Sequence, residues 1–299
     1  MSYFNFATES YWLNINKPRG VSSARVVAIV KRLTKAKKVG HAGTLDPLAE
    51  GVLPIAVNNA TRTAEFIVDC EKEYLVTIKW GEFRDTDDME GKIEFQNNHI
   101  PKTSTIINSL SNFIGDINQI PSKFSAIKIN GVRSYKMASK KIDYTIPSRE
   151  VRIKKIHLID SIGDKSNIII GCSKGTYIRS FVRDLANSLS VYGCVFSLKR
   201  TVVGSFNDKG IISLDKLKTM VRVGRYCTAL VQLEDALCSM MTFIVSNLEA
   251  KKLRNGQKIF LSNVAGINRI KTCKIKFKNH ILGIGEILDD TLTPKKIFL

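Results

Sequence analysis

The amino-acid sequence predicts an α+β protein with a mixed, mainly antiparallel central sheet flanked by helices and a small β-rich C-terminal domain. The first observation is that strand-like and helix-like segments are intermixed without the regular βαβ repeat of a parallel sheet. The second is that the chain lacks the glycine fingerprint of a doubly wound nucleotide-binding fold. The third is a restart of the pattern near Met241. We therefore divide the chain into residues 1–240 and 241–299.

The N-terminal part carries clear helix and strand signals. A predicted strand ends at Lys17-Pro18, and Ser22 or Ser23 can cap the helix that follows. Apolar residues recur along this helix at helical spacing: Val26, Val27, Val30 and Leu33. The next predicted elements are a buried strand over 52–57, a helix across 61–70, a strand over 72–81 and a helix over 103–115 that Gly115 ends.

The remaining elements continue the mixed pattern. Residues 152–160 and 167–175 are predicted to form paired strands, residues 176–190 a helix and residues 194–206 a further strand. Beyond Met241, a short helix within 246–259 precedes short strands within 272–288. A segment of this length is small for a core of its own, so we expect it to dock on the main body.

The composition indicates a binding partner that is negatively charged. The 299 residues hold 46 Lys and Arg against 27 Asp and Glu, a formal net charge of +19. Such a chain attracts polyanions, and nucleic acid is favoured over an anionic membrane surface. No apolar run reaches the roughly 18 residues of a membrane span, and the N-terminus lacks the pattern of a signal peptide. We expect a soluble, cytoplasmic protein.

Cysteine and histidine are scattered singly along the chain. The cysteines form no C-x-x-C pair, so we expect reduced residues rather than disulfides or zinc ligands. The histidines are equally dispersed, and we predict no metal site. These residues are Cys70, Cys172, Cys194, Cys227, Cys238 and Cys273, and His41, His99, His157 and His280.

Residues 121–152 are dense in Lys and Arg, with aromatic residues between them. A mixture of this kind can line a groove that follows a nucleic-acid backbone, with rings available for stacking on bases. A solvated hairpin and helix would have the same composition. Composition alone leaves both interpretations open.

Asp46 lies in a loop punctuated by glycine and proline, "VGHAGTLDPLAEGVLPI" (39–55), just after a basic run. Pro47 biases Asp46 toward an extended conformation, and Gly43 permits a turn just before it. The side chain is therefore held on a stiff loop. Taken alone, an Asp before a Pro is more typical of a turn former than of a catalytic acid.

The segment "KGTYIRS" (174–180) changes that interpretation. A helix start here places Tyr177 and Arg179 in its first turn, where a cation is unfavourable unless an anion lies near. A guanidinium bidentate to Asp46 would satisfy Arg179 and keep the acid ionised. Arg183 and Asp184 follow one turn later and are interpreted as an ordinary exposed helix face.

The acidic stretch "GEFRDTDDMEG" (81–91) is a candidate calcium loop by composition. Such a loop needs oxygen ligands at positions one, three and five and glycine at position six. Counted from Asp85, position five is Met89 and Gly91 comes seventh, so the register fails. A polar turn after a strand is the better interpretation.

Taken together, these stretches resemble the TruB family of tRNA pseudouridine synthases, which convert uridine-55 in the T loop of transfer RNA. The matching segments fall in order and span most of residues 13–206. They are "LNINKPRGVSS" (13–23), "VGHAGTLDPLAEGVLPI" (39–55), "KEYLVTIKWGEFRDTDDMEG" (72–91), "QIPSKFSAIKINGVRSYKMA" (119–138), "GCSKGTYIRSFVRDLA" (171–186) and "LKRTVVGSF" (198–206). The tail is similar, less specifically, to the family's small PUA-type domain.

The resemblance implies a pseudouridine synthase fold with a thumb-like insertion at about 119–152. It implies a catalytic aspartate at Asp46, an active-site tyrosine at Tyr74 and an arginine partner at Arg179. It also implies that His41 contacts the T loop and that Lys17-Pro18 supports the active-site wall. The RNA-binding residues that we predict are His41, Lys17, Tyr177, Lys123, Lys128, Arg133 and Arg200. The expected partner is the tRNA T-arm, with no membrane, no obligate protein partner and a monomeric enzyme.

The sequence departs from the family pattern at a few positions. Ala42 stands where Thr is frequent, Phe83-Arg84 replaces smaller residues and Phe124 stands where Tyr is common. None of these departures touches Asp46, Tyr74 or Arg179. They therefore bear on RNA affinity more than on chemistry.

The implied reaction explains why a carboxylate is needed. Uridine isomerisation breaks C1′–N1, turns the base and forms C1′–C5, with no redox change, so we expect no cofactor. An anion must stabilise positive charge at C1′, as in glycoside hydrolysis. Whether Asp46 acts covalently or electrostatically, and on sugar or base, stays open. Tyr74 is either a base-stacking residue or a half-buried strand aromatic, and His41 either fills the space that the base vacates or makes one local hydrogen bond.

Overall fold

The computed structural model describes residues 4–125, 127–129, 131–140, 142, 144–224, 230–261 and 269–298. Its strands are β1 (Tyr11–Lys17), β2 (Val39–His41), β3 (Glu50–Val57), β4 (Lys72–Trp80), β5 (Glu82–Arg84), β6 (Ile93–Gln96), β7 (Gly115–Gln119), β8 (Lys128–Ile129), β9 (Val132–Arg133), β10 (Arg149–Ile162), β11 (Lys165–Cys172), β12 (Gly193–Val203), β13 (Phe206–Asn207), β14 (Leu230–Val231), β15 (Thr242–Ile244), β16 (Ile259–Phe260), β17 (Arg269–Phe277), β18 (His280–Leu288) and β19 (Thr291–Ile297). Its helices are α1 (Ser23–Thr34), α2 (Ala64–Val68), α3 (Thr103–Leu110), α4 (Ser134–Ser139), α5 (Ile178–Ser188), α6 (Leu214–Val223), α7 (Leu233–Ala236) and α8 (Asn247–Arg254).

The large sheet has the order β14-β1-β3-β12-β4-β11-β10-β7, with β2 paired to β3 and β13 to β12. Every pairing in it is antiparallel except β12 with β3, which meet in parallel at Lys199↔Glu50 and Arg200↔Gly51. The predicted mixed, mainly antiparallel sheet is therefore confirmed. Gly51 is required at this junction because it has φ +101° and an added Cβ would lie 2.3 Å from the Arg200 carbonyl oxygen.

Two helices show how sequence pattern becomes packing. The Ser22 side chain accepts a hydrogen bond from the Arg25 backbone N–H, which fixes the start of α1 as predicted. The buried Val26 and Val30 of that helix pack against strands β1 and β3. Helix α5 packs its apolar face, including Phe181, against β4 on the sheet. This packing places the N-terminal turn of α5 beside the loop that carries Asp46.

Some elements have weak local signals and were not predicted. They include β2, the hairpin of β5 and β6, β7 and helix α6. Within the described part of 121–152, β8 and β9 form a two-stranded hairpin that leads into α4. The segment is therefore a hairpin and helix, and Lys123, Lys128 and Arg133 are exposed on it.

Within residues 242–261 and 269–298, five strands form a separate sheet with the order β15-β17-β18-β19-β16 and an apolar core of its own. This sheet packs on the main body, where Ile284 joins a cluster with Ile67 and Phe206. The Lys296 ammonium adds an ion pair with Glu65 and a hydrogen bond of 3.0 Å to the Arg62 carbonyl. The C-terminal sheet is thus docked through both apolar and charged contacts.

Candidate active site

Two cavities meet at Asp46. Cavity A measures about 250 Å³ and lies between the Asp46 loop, β4, β12 and the start of α5. Cavity B measures about 580 Å³ and lies between the Asp46 loop, α1 and the hairpin-and-helix segment. Both are lined by Thr44, Leu45, Asp46 and Arg179. The ion pair of Asp46 with Arg179 therefore stands in the wall that the two cavities share.

The Asp46 loop is fixed on both sides by hydrogen bonds. The Ser23 hydroxyl donates to the Leu45 carbonyl at 3.0 Å and accepts from the Leu45 N–H at 2.9 Å. The Gly20 N–H donates to the Pro47 carbonyl at 2.8 Å, and the Ala49 N–H donates to the Asp46 carbonyl at 3.1 Å. The stiff loop that the sequence predicts is thus held against the start of α1, which leaves the carboxylate little freedom.

Arg179 is a buried guanidinium that joins separate parts of the chain. Its Nε lies 2.9 Å from Asp46 Oδ2 and 3.6 Å from Asp88 Oδ2. Its Nη1 donates to the Thr86 carbonyl at 2.9 Å, and its Nη2 donates to the Phe124 carbonyl at 3.0 Å. Arg179 is 4% exposed, and the carboxylates of Asp46 and Asp88 hold its pKa above the usual value against the opposing effect of burial.

The predicted pairing of Arg179 with Asp46 is present, but its predicted bidentate geometry is wrong. A single nitrogen faces Asp46, and that N–H is not aligned for a hydrogen bond. The two terminal nitrogens are used by backbone carbonyls. The contact is consequently an ion pair that fixes charge, while the guanidinium plane is oriented by the backbone.

The acidic turn after β5 supplies partners that the sequence analysis missed. Asp88 is 2% exposed and pairs with Arg179, and its Oδ1 accepts from the Thr86 hydroxyl at 2.6 Å. Asp87 pairs with Arg183 at 3.3 Å. Arg183 also donates to the Ile120 carbonyl at 2.6 Å, so the prediction of an ordinary exposed helix face at Arg183 is wrong. The predicted polar turn is confirmed, and its two carboxylates pair with arginines of α5.

Lys17 does not lie on the surface. It is fully buried, and its ammonium donates to the carbonyls of Pro18 at 2.9 Å, Val21 at 2.6 Å and Pro47 at 3.3 Å. The predicted RNA contact of Lys17 is therefore corrected to a positioning role beneath the Asp46 loop. Burial lowers the pKa of the Lys17 ammonium to about 8, and the Asp46 carboxylate opposes that shift only in part.

This pKa predicts a pH-dependent contribution of Lys17 to stability. At pH 7 both folded and unfolded chains hold the proton, whereas between pH 8 and 10.5 only the unfolded chain holds it. The free energy of unfolding of the wild type minus that of Lys17→Met should rise across this window, by up to about 3 kcal/mol. Urea unfolding at pH 7, 8.5 and 10 measures it, with the exposed Lys216→Met as the control. A difference that stays constant or falls with pH would contradict the assignment.

Tyr74 and Arg200 meet at the floor of cavity A. Tyr74 is 8% exposed, and burial raises the pKa of its phenol despite the nearby Arg200 guanidinium, so the phenol is protonated at neutral pH. Arg200 is 1% exposed, and it donates to the carbonyls of Val52 at 2.8 Å and Gly43 at 3.0 Å. Arg200 was predicted to bind RNA, but its guanidinium is buried and holds the Asp46 loop, so it can contact only a group that enters cavity A.

Other predicted residues surround the two cavities. His41 lines cavity B with a buried Nδ1 that has no hydrogen-bond partner within the described residues, and burial lowers the pKa of its imidazole. Tyr177 lines cavity A, and the Arg149 guanidinium stacks on its ring at 4.9 Å. Arg133 lines cavity B. Lys123 and Lys128 lie on the adjoining hairpin-and-helix segment but not on either cavity wall.

Other expectations concern metals, cysteines and membranes. Within the described residues, no cluster of three or more His, Cys, Asp or Glu has the arrangement of a metal site. The described cysteines are free thiols, and Cys227 lies outside the described residues. No helix in the described part of the chain has the length and apolar character to cross a bilayer.

Comparison with known proteins places this chain in a family. Residues 31–178 match the sequence profile described as "TruB family pseudouridylate synthase (N terminal domain)". The "tRNA pseudouridine synthase B" of Ehrlichia chaffeensis is 40% identical over 291 residues, which cover 96% of this chain and 98% of that protein. This chain belongs to the TruB family. A protein of the same name from Anaplasma phagocytophilum is 40% identical to this TruB-family chain over 295 residues, with 96% and 98% covered.

Solved structures agree with this TruB-family fold. The chain matches a structure entitled "Crystal Structure of a Cbf5-Nop10-Gar1 Complex" with a TM-score of 0.78 and 23% identity over 99% of this chain and 86% of that one. A "Structure of H/ACA RNP bound to a substrate RNA containing 2'-deoxyuridine" gives a TM-score of 0.75 and 22% identity over 97% and 85%. The predicted pseudouridine synthase fold with a β-rich C-terminal part is thereby confirmed.

Proposed function

We propose that this chain isomerises uridine-55 in the T loop of tRNA to pseudouridine. The observation that carries the proposal is the Asp46 carboxylate, which is ion-paired with the buried Arg179 at the edge of a small cavity that also contains Tyr74. The full-length relatives named tRNA pseudouridine synthase B support the choice of tRNA as substrate.

The chemistry needs a fixed negative charge beside the ribose. When C1′–N1 breaks, positive charge develops at C1′, and a nearby carboxylate stabilises it, as in glycoside hydrolysis. Asp46 is 37% exposed at its side chain, so a nucleotide in cavity A can reach its carboxylate, while Arg179 is nearly inaccessible. The reaction is an isomerisation and needs no cofactor. Asp46 is proposed to supply the negative charge, and Arg179 is proposed to hold the carboxylate in place.

The nucleotide must leave the T loop to reach this carboxylate. Extrusion costs a few kcal/mol, which stacking and packing in the cavity offset. Tyr74 provides a flat ring with a neutral phenol, and Ile178 and Leu198 provide apolar walls. His41 lies on the other side of Asp46, in cavity B, where it can contact the loop that the nucleotide has left. Cavity A therefore receives the uridine, and cavity B receives the neighbouring part of the T loop.

The hairpin-and-helix segment is proposed to bind RNA phosphates. Lys123, Lys128 and Arg133 are exposed there, beside cavity B. The triple variant Lys123→Gln/Lys128→Gln/Arg133→Gln should bind T-arm RNA more weakly. The log–log slope of affinity against salt should flatten by about 0.7 to 0.9 for each phosphate contact that is lost. Titrations at several salt concentrations measure this slope.

A control variant removes two positive charges elsewhere on the protein. Lys216→Gln/Lys218→Gln on α6 neutralises two exposed lysines in an element that lines neither cavity. It should leave the salt slope nearly unchanged. An unaltered slope in the triple variant would show that the hairpin-and-helix segment does not meet the RNA.

The remaining features complete the proposal. Residues 1–240 are proposed to be the catalytic domain, with the insertion at about 119–152, and residues 241–299 a PUA-like RNA-binding domain. The enzyme is proposed to act in the cytoplasm as a monomer without an obligate protein partner. Size-exclusion chromatography with light scattering, on the free protein and its RNA complex, tests the monomeric state. A stable dimer in either sample would contradict it.

The function itself is tested by single turnover on a T-arm stem-loop. With enzyme in excess, we expect one pseudouridine per RNA, at position 55, and no product from a stem-loop with cytidine at that position. Unimpaired RNA binding without product would instead identify a non-catalytic RNA-binding or tRNA-folding protein on the same scaffold. Product at other positions only would contradict the proposed site of modification.

A further inference from the structure

Lys72 is a buried cation at the wall of cavity A to which the chemistry above gives no role. It is the first residue of β4 and lies opposite Cys172 of β11 and Val203 of β12. Because side chains alternate along a strand, Lys72 and Tyr74 stand on the same face of the sheet. Lys72 is 7% exposed and, like Tyr74, lines cavity A.

The ammonium of Lys72 has more N–H donors than hydrogen-bond acceptors around it in the described residues. It donates to the carbonyls of Val68 and Cys70, which lie at and just beyond the end of α2. An ammonium carries three donors, so one remains. Among the described residues, no carboxylate lies within 4.0 Å of it. A buried charge without a counter-charge is unfavourable, and an anion arriving in the cavity would offset that cost.

Two other cations around the cavity are already paired with carboxylates, and Arg200 donates to two backbone carbonyls. Lys174 pairs with the exposed Asp69 at the rim, and Arg179 pairs with Asp46. The groups that act on Lys72 are Arg200 from β12, Cys172 from β11, and Asp69 and Cys70 beyond α2. Burial, with the Arg200 guanidinium adding to it, lowers the pKa of the Lys72 ammonium to about 8. Negative charge arriving in cavity A would therefore stabilise the Lys72 ammonium.

We propose that the Lys72 ammonium donates a hydrogen bond to the extruded uracil and stabilises the negative charge that the base carries after C1′–N1 has broken. The inference rests on the function proposed above. On cleavage, the bonding electron pair stays with N1 and spreads to the carbonyl oxygens. The base turns, C5 bonds to C1′, C5 loses its proton and N1 gains one. No proton leaves Lys72, whose contribution is electrostatic.

The test separates the rate of reaction from RNA affinity. Lys72→Met should slow single turnover on the T-arm stem-loop on the order of 10²-fold, because a donor aimed at developing charge is lost. Its Kd for the RNA should stay within about threefold, since the negative base exists only during the reaction. Lys72→Arg should recover at least about tenfold of the lost rate. The control Lys79→Met, at the other end of β4, should react at the wild-type rate.

The pH dependence distinguishes this role from mere anchoring of Val68 and Cys70. Below saturation, the ratio of the wild-type rate constant to that of Lys72→Met should fall as pH rises from 7 to 9.5, since only the wild type loses a charge, with a pKa of about 8. Titration of Lys17 is common to both proteins and cancels. Should Lys72→Met fail to fold, the ratio to Lys72→Arg should fall in the same way, because arginine stays charged.

Three results would overturn the proposal. One is a wild-type rate in Lys72→Met. Another is a weakened Kd with an unchanged rate, which would assign Lys72 to a phosphodiester that is already charged in the ground state. The third is a ratio that does not change with pH, which would make the residue structural only. Failure of the proposed function is a separate result, since the wild type itself would then form no pseudouridine.

Discussion

Asp46→Asn should abolish pseudouridine formation while leaving RNA binding almost intact. The substitution keeps the size of the side chain and removes the charge that stabilises C1′. Loss of a central catalytic group costs on the order of 10⁴-fold or more in rate. Affinity for the T-arm should stay within about threefold, because phosphate contacts dominate it. Single-turnover assays and binding titrations on the same stem-loop measure the two quantities.

The control for Asp46→Asn is Asp215→Asn, an exposed carboxylate in the first turn of α6. It should change neither rate nor affinity. Asp46→Ala should behave like Asp46→Asn, because both lack the charge. Turnover by either variant within about a hundredfold of the wild type would refute the role of the carboxylate, as this is less than the loss expected for a central group.

Arg179→Met should impair both stability and activity, because the guanidinium joins three separate segments. Removing it leaves the carboxylate of Asp88, which is 2% exposed, without its partner. Breaking a buried ion pair in this way costs about 3–5 kcal/mol in the free energy of unfolding. The rate should fall on the order of 10²-fold or more, because Asp46 is no longer held in place. Urea unfolding and single-turnover kinetics measure the two effects.

A double variant separates the two consequences. Arg179→Met/Asp88→Asn removes the unpaired buried charge and should recover part of the lost stability. It should not recover the rate, because Asp46 still lacks its guanidinium. The exposed Arg222→Met on α6 is the control and should match the wild type in both measurements. If Arg179→Met and the wild type had equal free energies of unfolding, the ion pair of Arg179 with Asp88 would not stabilise the fold.

Local sequence pattern predicted most regular elements because the signals act over a few residues. The Ser22 cap and the apolar spacing of α1 involve neighbours within two turns. The alternation of β4 and the apolar face of α5 are equally local. Helix α6 and the short hairpins β5–β6 and β8–β9 carry weaker signals. Their form depends on what they pack against.

The candidate site was predicted in part for the same reason. Arg179 at a helix start indicates through one local rule that an anion lies near it. Asp46 was proposed as that anion, and the resemblance to the TruB family implies the same pair. No local rule identifies Asp88, since its Arg179 partner lies 91 positions away along the chain. Lys17 and Arg200 were predicted to bind RNA, whereas both are buried, which is rare for lysine and arginine and which no local pattern signals.

The sequence by itself determined the class of fold, the family, the positive charge and the identity of the acid at residue 46. Only the tertiary structure decided which partners each buried charge has and where the cavities lie. The physical reason is that strand and helix signals depend on near neighbours, whereas the surroundings of a buried ion depend on sheet order. The parallel contact of β12 with β3 brings Arg200 to Gly43, and the packing of α5 brings Arg179 to Asp46.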